Sequence, residues 1–165
     1  MSKAKVVLLL GDDVSTDAIY PGRFMATVLP GETPQFAFAD QVQFNAALTA
    51  GTIPAGSVIV AGSNFGCGSS REQAVSALKG HELVVVARSF ARIFQQNAIN
   101  LGLRLVEAPD VSAAEGDDIA IGAMEVTNLT SGRRFGVRPL PAARQAIMDA
   151  GGLIPYTRER LASRA

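Results

Sequence analysis

The 165-residue sequence holds one cysteine, Cys67, and one histidine, His81. A single thiol closes no internal disulfide, so a reducing compartment, the cytoplasm, is expected. One cysteine and one histidine are too few for a zinc site, and iron–sulfur clusters usually take three or four thiolates. A metal must therefore come from another chain or rest on carboxylates. An excess of one charge is missing too: fifteen basic and fifteen acidic residues cancel. That balance removes the electrostatic case for nucleic acid or an anionic membrane as partner. Long apolar runs are also absent. The run Val6–Leu10, behind Met1-Ser2-Lys3-Ala4-Lys5, is shorter than a signal-peptide core and far short of the about 20 residues of a membrane helix. Neither a leader nor a membrane span is expected.

Hydrophobic residues at 48% and charged residues at 18% do supply a globular core, and the length suits one domain over residues 1–165. Zero net charge with positive mean hydropathy leaves room for a buried interface. Val6–Leu10 reads as a buried strand ended by Gly11-Asp12-Asp13, and residues 11–23 as a polar loop. Apolar spacing predicts a helix over Phe36–Leu48. Gly51, Pro54 and Gly56 then punctuate the chain before a strand at Ser57–Ala61. A glycine-rich turn over 62–68 leads into a helix from about Ser70 to Lys79. Leu83–Ala87 is an all-apolar strand of the kind covered on both faces. Ser89 is placed to cap a helix reaching Asn100, with Gly102 just past its end, and Leu103–Glu107 is a further strand. The alternation of strand and helix over 57–107 predicts an α/β unit with parallel pairing. Ile119–Ile121, Glu125–Asn128 and Arg134–Val137 read as a layer of short hairpin strands, followed by a helix over Ala142–Ala150 that Gly151-Gly152 breaks.

The segment Gly62-Ser63-Asn64-Phe65-Gly66-Cys67-Gly68-Ser69-Ser70-Arg71-Glu72-Gln73 joins a strand to a helix. Its glycines permit positive φ and close approach of backbone to a ligand. The helix start behind them offers unpaired N–H groups and a positive dipole end to a carboxylate or phosphate. Arg71 adds a planar bidentate donor at a position where a cation is locally disfavoured. A plainer reading stands beside this one: Ser69 with Glu72, or Ser70 with Gln73, has capping-box spacing. The segment is neither a Walker A loop nor a dinucleotide fingerprint. Asp12, Asp13 and Asp17 place three carboxylates after the first strand, where they read as turn formers or as magnesium ligands. Cys67 near a helix start is a candidate nucleophile, against which stands the lack of a neighbouring histidine in sequence.

Gly66-Cys67-Gly68-Ser69-Ser70-Arg71-Glu72 resembles the Gly-x-Gly-Ser-Ser-Arg-Glu signature of the swivelling domain of the aconitase superfamily. Thr16-Asp17-Ala18-Ile19 with Pro21 resembles a second hallmark of that domain, and Ser89-Phe90-Ala91-Arg92-Ile93-Phe94 followed by Asn97 a third. The tail Ala150-Gly151-Gly152-Leu153-Ile154-Pro155-Tyr156 resembles the end of isopropylmalate dehydratase small subunits. The matches run in order over nearly the whole chain.

The resemblance implies an α/β fold: a swivelling β/β/α domain with a mixed, partly parallel sheet flanked by helices. It implies a hydro-lyase that removes and re-adds water across adjacent carbons of a small hydroxy-dicarboxylate. A [4Fe–4S] cluster would sit on a separate large subunit, with no cofactor or metal held by this chain. Ser69 would be the base and Asp17 would orient the polar network. Ser70 and Arg71 would bind a substrate carboxylate, and Arg23, Phe24, Met25, Ala26 and Thr27 would form the substrate-selecting loop. Homoaconitase-like small subunits carry arginine at the position of Ala26. Alanine there implies an apolar or small substituent, as in isopropylmalate, while the loop differs from the usual isopropylmalate pattern. Dimethylmalate, citramalate or citraconate, and homoaconitate therefore stay open as substrates, as does a non-catalytic anion-binding role. Gln73 stands where the family commonly carries histidine.

Overall fold

The computed structural model describes residues 2–163. Its centre is β1 (Ser2–Leu9), a strand longer than Val6–Leu10 because it serves two partners. The stretch Ser2–Lys5 pairs antiparallel with β5 (Asp118–Ile121), and Val6–Leu9 pairs parallel with β2 (Val58–Ala61). An irregularity between Val6 and Leu8 marks the change of partner. Beyond β2 lie β3 (Val84–Ala87) and β4 (Leu105–Glu107), all parallel; beyond β5 lie β6 (Glu125–Asn128) and β7 (Arg134–Gly136), antiparallel. The seven strands run in the order β4-β3-β2-β1-β5-β6-β7. The sheet curls until its two ends meet. Arg138 N–H donates to the Glu107 carbonyl at 2.8 Å, and the two side chains form an ion pair at 3.1 Å.

The all-apolar parallel strands make sense against this curl, since successive side chains point to opposite faces. Ile59, Ala61, Val85, Ala87 and Leu105 face a core shared with the helices. Val58, Val60, Val84, Val86 and Val106 face the inside of the curl, against Ile119, Ile121, Val126 and Phe135. Each strand is buried on both sides, so period-2 polarity has no place in it.

The helices that follow β2 and β3 pack on the first of these cores. They are α3 (Glu72–Gly80), which buries Ala74, Val75, Ala77 and Leu78, and α4 (Arg92–Leu101), which buries Phe94, Ala98 and Ile99. The end of α4 is a Schellman motif: Gly102 takes φ 74°, Leu103 N–H donates to Ala98 O at 2.9 Å, and Gly102 N–H to Ile99 O at 3.2 Å. This motif delays the following strand to Leu105, two residues beyond the predicted start.

Four expectations need correction. The predicted helix over Phe36–Leu48 is a 3₁₀ turn at Thr33–Phe36 followed by α2 (Val42–Thr49). Phe38 adopts φ 50° between them and turns its ring into the core, which helical spacing alone does not anticipate. The loop 11–23 contains α1 (Thr16–Ile19), one turn capped by the Ser15 side chain accepting from Ala18 N–H at 3.1 Å. Ser89 does not cap α4; its Oγ accepts from Asn64 N–H at 2.8 Å and Ala91 occupies the cap. After α5 (Ala142–Asp149), Gly151-Gly152 starts another helix, α6 (Leu153–Ala162), none of whose residues is buried.

Glycines at 102 and 152 let the α4 end and the α5–α6 turn meet at backbone contact. A Cβ at Gly102 would lie 2.3 Å from the Gly151 carbonyl carbon, whereas one at Gly116, also left-handed at φ 89°, would meet nothing within 4 Å. Gly116→Ala should then carry backbone strain alone, about 1 kcal/mol, and Gly102→Ala should lose about 2 kcal/mol more. Thermal or urea unfolding of the two variants checks this; equal losses would contradict the close-contact account.

Candidate active site

The chain continues from the carboxyl ends of β1, β2 and β3 as three parallel segments, 13–16, 63–68 and 89–91. Gly66 N–H donates to Val14 O at 2.7 Å and Thr16 N–H to Cys67 O at 2.8 Å. On the other side Phe65 N–H donates to Ser89 O at 3.1 Å and Ala91 N–H to Phe65 O at 2.9 Å. Isolated parallel bridges, Ser15 with Cys67 and Phe65 with Phe90, extend the order of the sheet below. The carboxyl ends of parallel strands are where open α/β sheets place ligands. Here they support a cleft of about 220 Å³ lined by Thr16, Ser69, Ser70, Arg71, Arg92, Asn97 and neighbouring backbone.

Glycine is required at the pivot of this arrangement. Gly66 has φ 81°, and a Cβ there would stand 2.2 Å from Phe94 Cγ. The Phe94 ring occupies the room a side chain would need, which brings the first turn of α4 down onto the turn. Phe65 and Phe94 meet edge to face, with ring centres 5.3 Å apart.

The two serines are not caps. The residue at the start of α3 is Arg71, extended at φ −122°, ψ 100°, with no side chain capping it. That leaves the plainer reading of the serines without support. Ser69 and Ser70 are exposed, and Ser69 is held by its backbone instead: its carbonyl accepts from Thr16 Oγ1 at 2.8 Å. In the first turn of α3 Ala74 N–H donates to Arg71 O at 3.2 Å, the N–H groups before it have no partner within the helix, and a positive dipole end stands behind them.

Arg71 is half-buried and committed on one side. Its Nη1 donates to Asp17 Oδ1 and, at 3.1 Å, to Tyr20 O. Asp17 also accepts from Gly22 N–H at 2.9 Å. The Arg71 hydrogen bond first, and then that of Gly22, hold the Asp17 carboxyl below its ordinary value of 3.8. Asp17 does not line the cleft; it reaches it through Arg71. The lone histidine and the carboxylates after β1 are likewise spent on structure. His81 Nε2 lies 2.8 Å from Pro34 O, Asp12 accepts from Ser63 N–H at 2.6 Å, and Asp13 accepts from Asn64 Nδ2 at 2.8 Å. Among the described residues no three His, Cys, Asp or Glu side chains gather to hold a metal ion. Cys67 is half-buried, and the histidine that would activate it is engaged with Pro34.

The loop expected to select substrate stands apart from the cleft wall. Arg23 pairs with Asp40 at 2.5 Å and lies 4.6 Å from the Phe24 ring centre. Phe24 stacks on Phe36 at 4.1 Å, and Tyr20 Oη lies within hydrogen-bond reach of both Phe24 O and Thr27 O. Met25 and Ala26 are exposed, and Met25 O accepts from Gln73 Nε2 at 3.4 Å. Gln73 thus ties the loop to the start of α3. Thr16, Arg92 and Asn97 line the cleft without having been singled out as site residues. Their signal was present, because all three lie in the motifs around 16–19 and 89–97.

A protein-family model described as the aconitase C-terminal domain matches residues 40–110. The chain is 44% identical over 156 residues to the 3-isopropylmalate dehydratase small subunit of Moorella thermoacetica, covering 92% of each chain. It is 41% identical to the isopropylmalate/citramalate isomerase small subunit of Methanocaldococcus jannaschii, over 92% of this chain and 91% of that one. A crystal structure of 3-isopropylmalate dehydratase from Methanocaldococcus jannaschii superposes with a TM-score of 0.87 at 37% identity, covering 98% of this chain and 96% of that chain.

The Asp17–Arg71 pair makes a titration prediction. With its folded pKa lowered, Asp17 contributes stability that is complete above its unfolded value and is lost as pH falls through the folded one. Carboxyl titration followed by NMR should place Asp17 below 3.8 in the folded protein, and Arg71→Gln should return it towards that value. An unchanged Asp17 titration in the variant would show that Arg71 is not the main cause.

Proposed function

The chain belongs to the family of 3-isopropylmalate dehydratase small subunits, and on that premise we propose that it is one half of a two-chain hydro-lyase interconverting 2- and 3-isopropylmalate in leucine biosynthesis. One observation carries the reading: three segments distant in sequence converge on one cleft, with Ser69, Ser70 and Arg71 on its wall. A single swivelling domain over 1–165, working in the cytoplasm, accompanies the proposal.

The chain's own residues suit the proton-moving half of the reaction. Ser69 is fixed by its carbonyl to Thr16 while the residue itself is exposed. In this reading Ser69 Oγ takes the proton from the carbon beside the hydroxyl-bearing carbon and returns a proton on rehydration. A serine is a weak base, so its alkoxide needs preorganised positive charge and N–H donors. The α3 start and Arg71 supply both. Ser70 and the remaining Arg71 N–H groups bind a substrate carboxylate, and Asp17 sets the angle of the Arg71 fork by holding Nη1. Asp17 acts here as a positioning residue.

One cysteine in the whole sequence does not fit a [4Fe–4S] cluster, which takes three or four thiolates. No step is assigned to a cluster on this chain. Departure of the hydroxyl belongs, in this proposal, to the large subunit that carries the cluster. Substrate size is read from the loop 23–27. Alanine at 26 offers no charge to a third carboxylate, and Met25 beside it is apolar and exposed, which suits an alkyl substituent. A smaller alkyl group is the second reading, because one relative at 41% identity is described as acting in both isopropylmalate and citramalate isomerisation.

Two variants test these assignments in the complex with its large subunit. Ser69→Ala should lower kcat by about 10²–10⁴, measured as hydration of the unsaturated intermediate; retention of full activity would remove Ser69 as base. Ala26→Arg should shift preference about tenfold or more towards a substrate with an additional carboxylate. An unshifted ratio of kcat/KM values would show that the loop does not select.

A further inference from the structure

The selector loop and Arg71 sit on different elements, yet one buried residue touches both. Tyr20 closes α1 and is fully buried. Its carbonyl accepts from Arg71 Nη1 at 3.1 Å. Its hydroxyl donates in another direction, shared between Phe24 O at 3.2 Å and Thr27 O at 3.3 Å. Those two carbonyls bracket a four-residue turn, which Thr27 N–H closes by donating to Phe24 O at 2.9 Å. Met25 and Ala26 are the central pair of that turn, and both are exposed. The Tyr20 ring meets Phe36 edge to face at 6.1 Å, and Phe36 stacks on Phe24 at 4.1 Å. Burial pushes the hydroxyl above its ordinary value of 10.0, which keeps it a donor.

An apolar side chain at position 20 would fill the core without a polar group to satisfy. A buried hydroxyl has to find a partner, and this one finds both ends of the turn that carries Met25 and Ala26. The root of the loop already rests on the Asp17–Arg71 pair. Gly22 N–H donates to Asp17 at 2.9 Å, and a Cβ at Gly22 would stand 3.3 Å from Arg71 Nη2. We propose that Tyr20 is a positioning residue for substrate choice: its hydroxyl sets where Met25 and Ala26 stand, and its carbonyl ties that position to the Arg71 fork. The inference rests on the reading of loop 23–27 as selector and deepens it. A wall held at a set place relative to Arg71 discriminates between substituents, whereas a wall free to shift accepts more of them.

The test is kinetics of the reconstituted complex with Tyr20→Phe and Ala26→Arg made singly and together. Tyr20→Phe removes the hydroxyl and keeps the ring and the carbonyl. The readout is the ratio of kcat/KM values for homoaconitate over isopropylmalate. The shift in that ratio caused by Ala26→Arg should shrink about three- to tenfold in the Tyr20→Phe background, the worth of one neutral hydrogen bond. A role in stability alone would lower Tm and leave the shift undiminished, and that result overturns the inference. The Asp17 titration should stay in place in Tyr20→Phe, because the Tyr20 carbonyl and Arg71 are retained. A moved titration also overturns the inference, since the hydroxyl would then act on Arg71 rather than on the turn. The single Ala26→Arg variant separates the two readings. A shift there that Tyr20→Phe does not diminish removes Tyr20 and keeps the loop as selector. No shift there removes the selector reading and this inference with it.

Discussion

The site depends on a short backbone seam between residues 14–16 and 66–69. Gly66 N–H on Val14 O, Thr16 N–H on Cys67 O and Thr16 Oγ1 on Ser69 O join the loop after β1 to the loop after β2. These bonds involve mostly backbone, so they fix where the chain goes whatever its side chains do next. The exposed positions of Ser69 and Ser70, the approach of α4 through Phe94 and the reach of Arg71 back to Asp17 all follow from it. A displaced seam would separate Ser69 from both arginines while leaving the cores on each side of the sheet intact.

Electrostatics divides the labour over that frame. The chain is neutral in total, yet the cleft is not. Asp17 compensates Arg71 and takes up part of its donor capacity, which in the proposed role of Arg71 trades binding strength for a fixed geometry. Among the described residues Arg92 has no acidic side chain within ion-pair distance. The protein tolerates the unpaired cation because water solvates it until a ligand or partner covers the cleft.

Much of this was legible in the sequence. Continuous apolar runs at Val58–Ala61 and Val84–Ala87 are readable as strands buried on both faces, and Gly102 as a helix end, because local pattern and final environment agree there. The Gly66–Arg71 turn was legible as an anion site, and the aconitase-like resemblance carried it to a family. What failed depended on contacts distant in sequence. Phe36 and Phe38 have helical spacing, but tertiary packing places Phe38 at positive φ in the core. Ser69, Ser70 and Ser89 look like caps to any local rule, whereas Ser89 bonds Asn64, 25 residues away in sequence. The helix after Gly151-Gly152 buries no residue and so shows no amphipathic face to read. Arg92 looks like an ordinary surface arginine until Gly66 and Phe94 bring it to the cleft.

A half-site also explains the lone cysteine. In the proposed reading the chain offers a base, a carboxylate clamp and a positioned loop, and its chemistry is completed across a subunit boundary. Anaerobic mixing with a cluster-bearing large subunit tests that claim most directly, with hydro-lyase activity on isopropylmalate as the readout. Each chain alone should be inactive and activity should rise with added small subunit to a plateau. Full activity of the large subunit without this chain, or none in the mixture, would contradict the account.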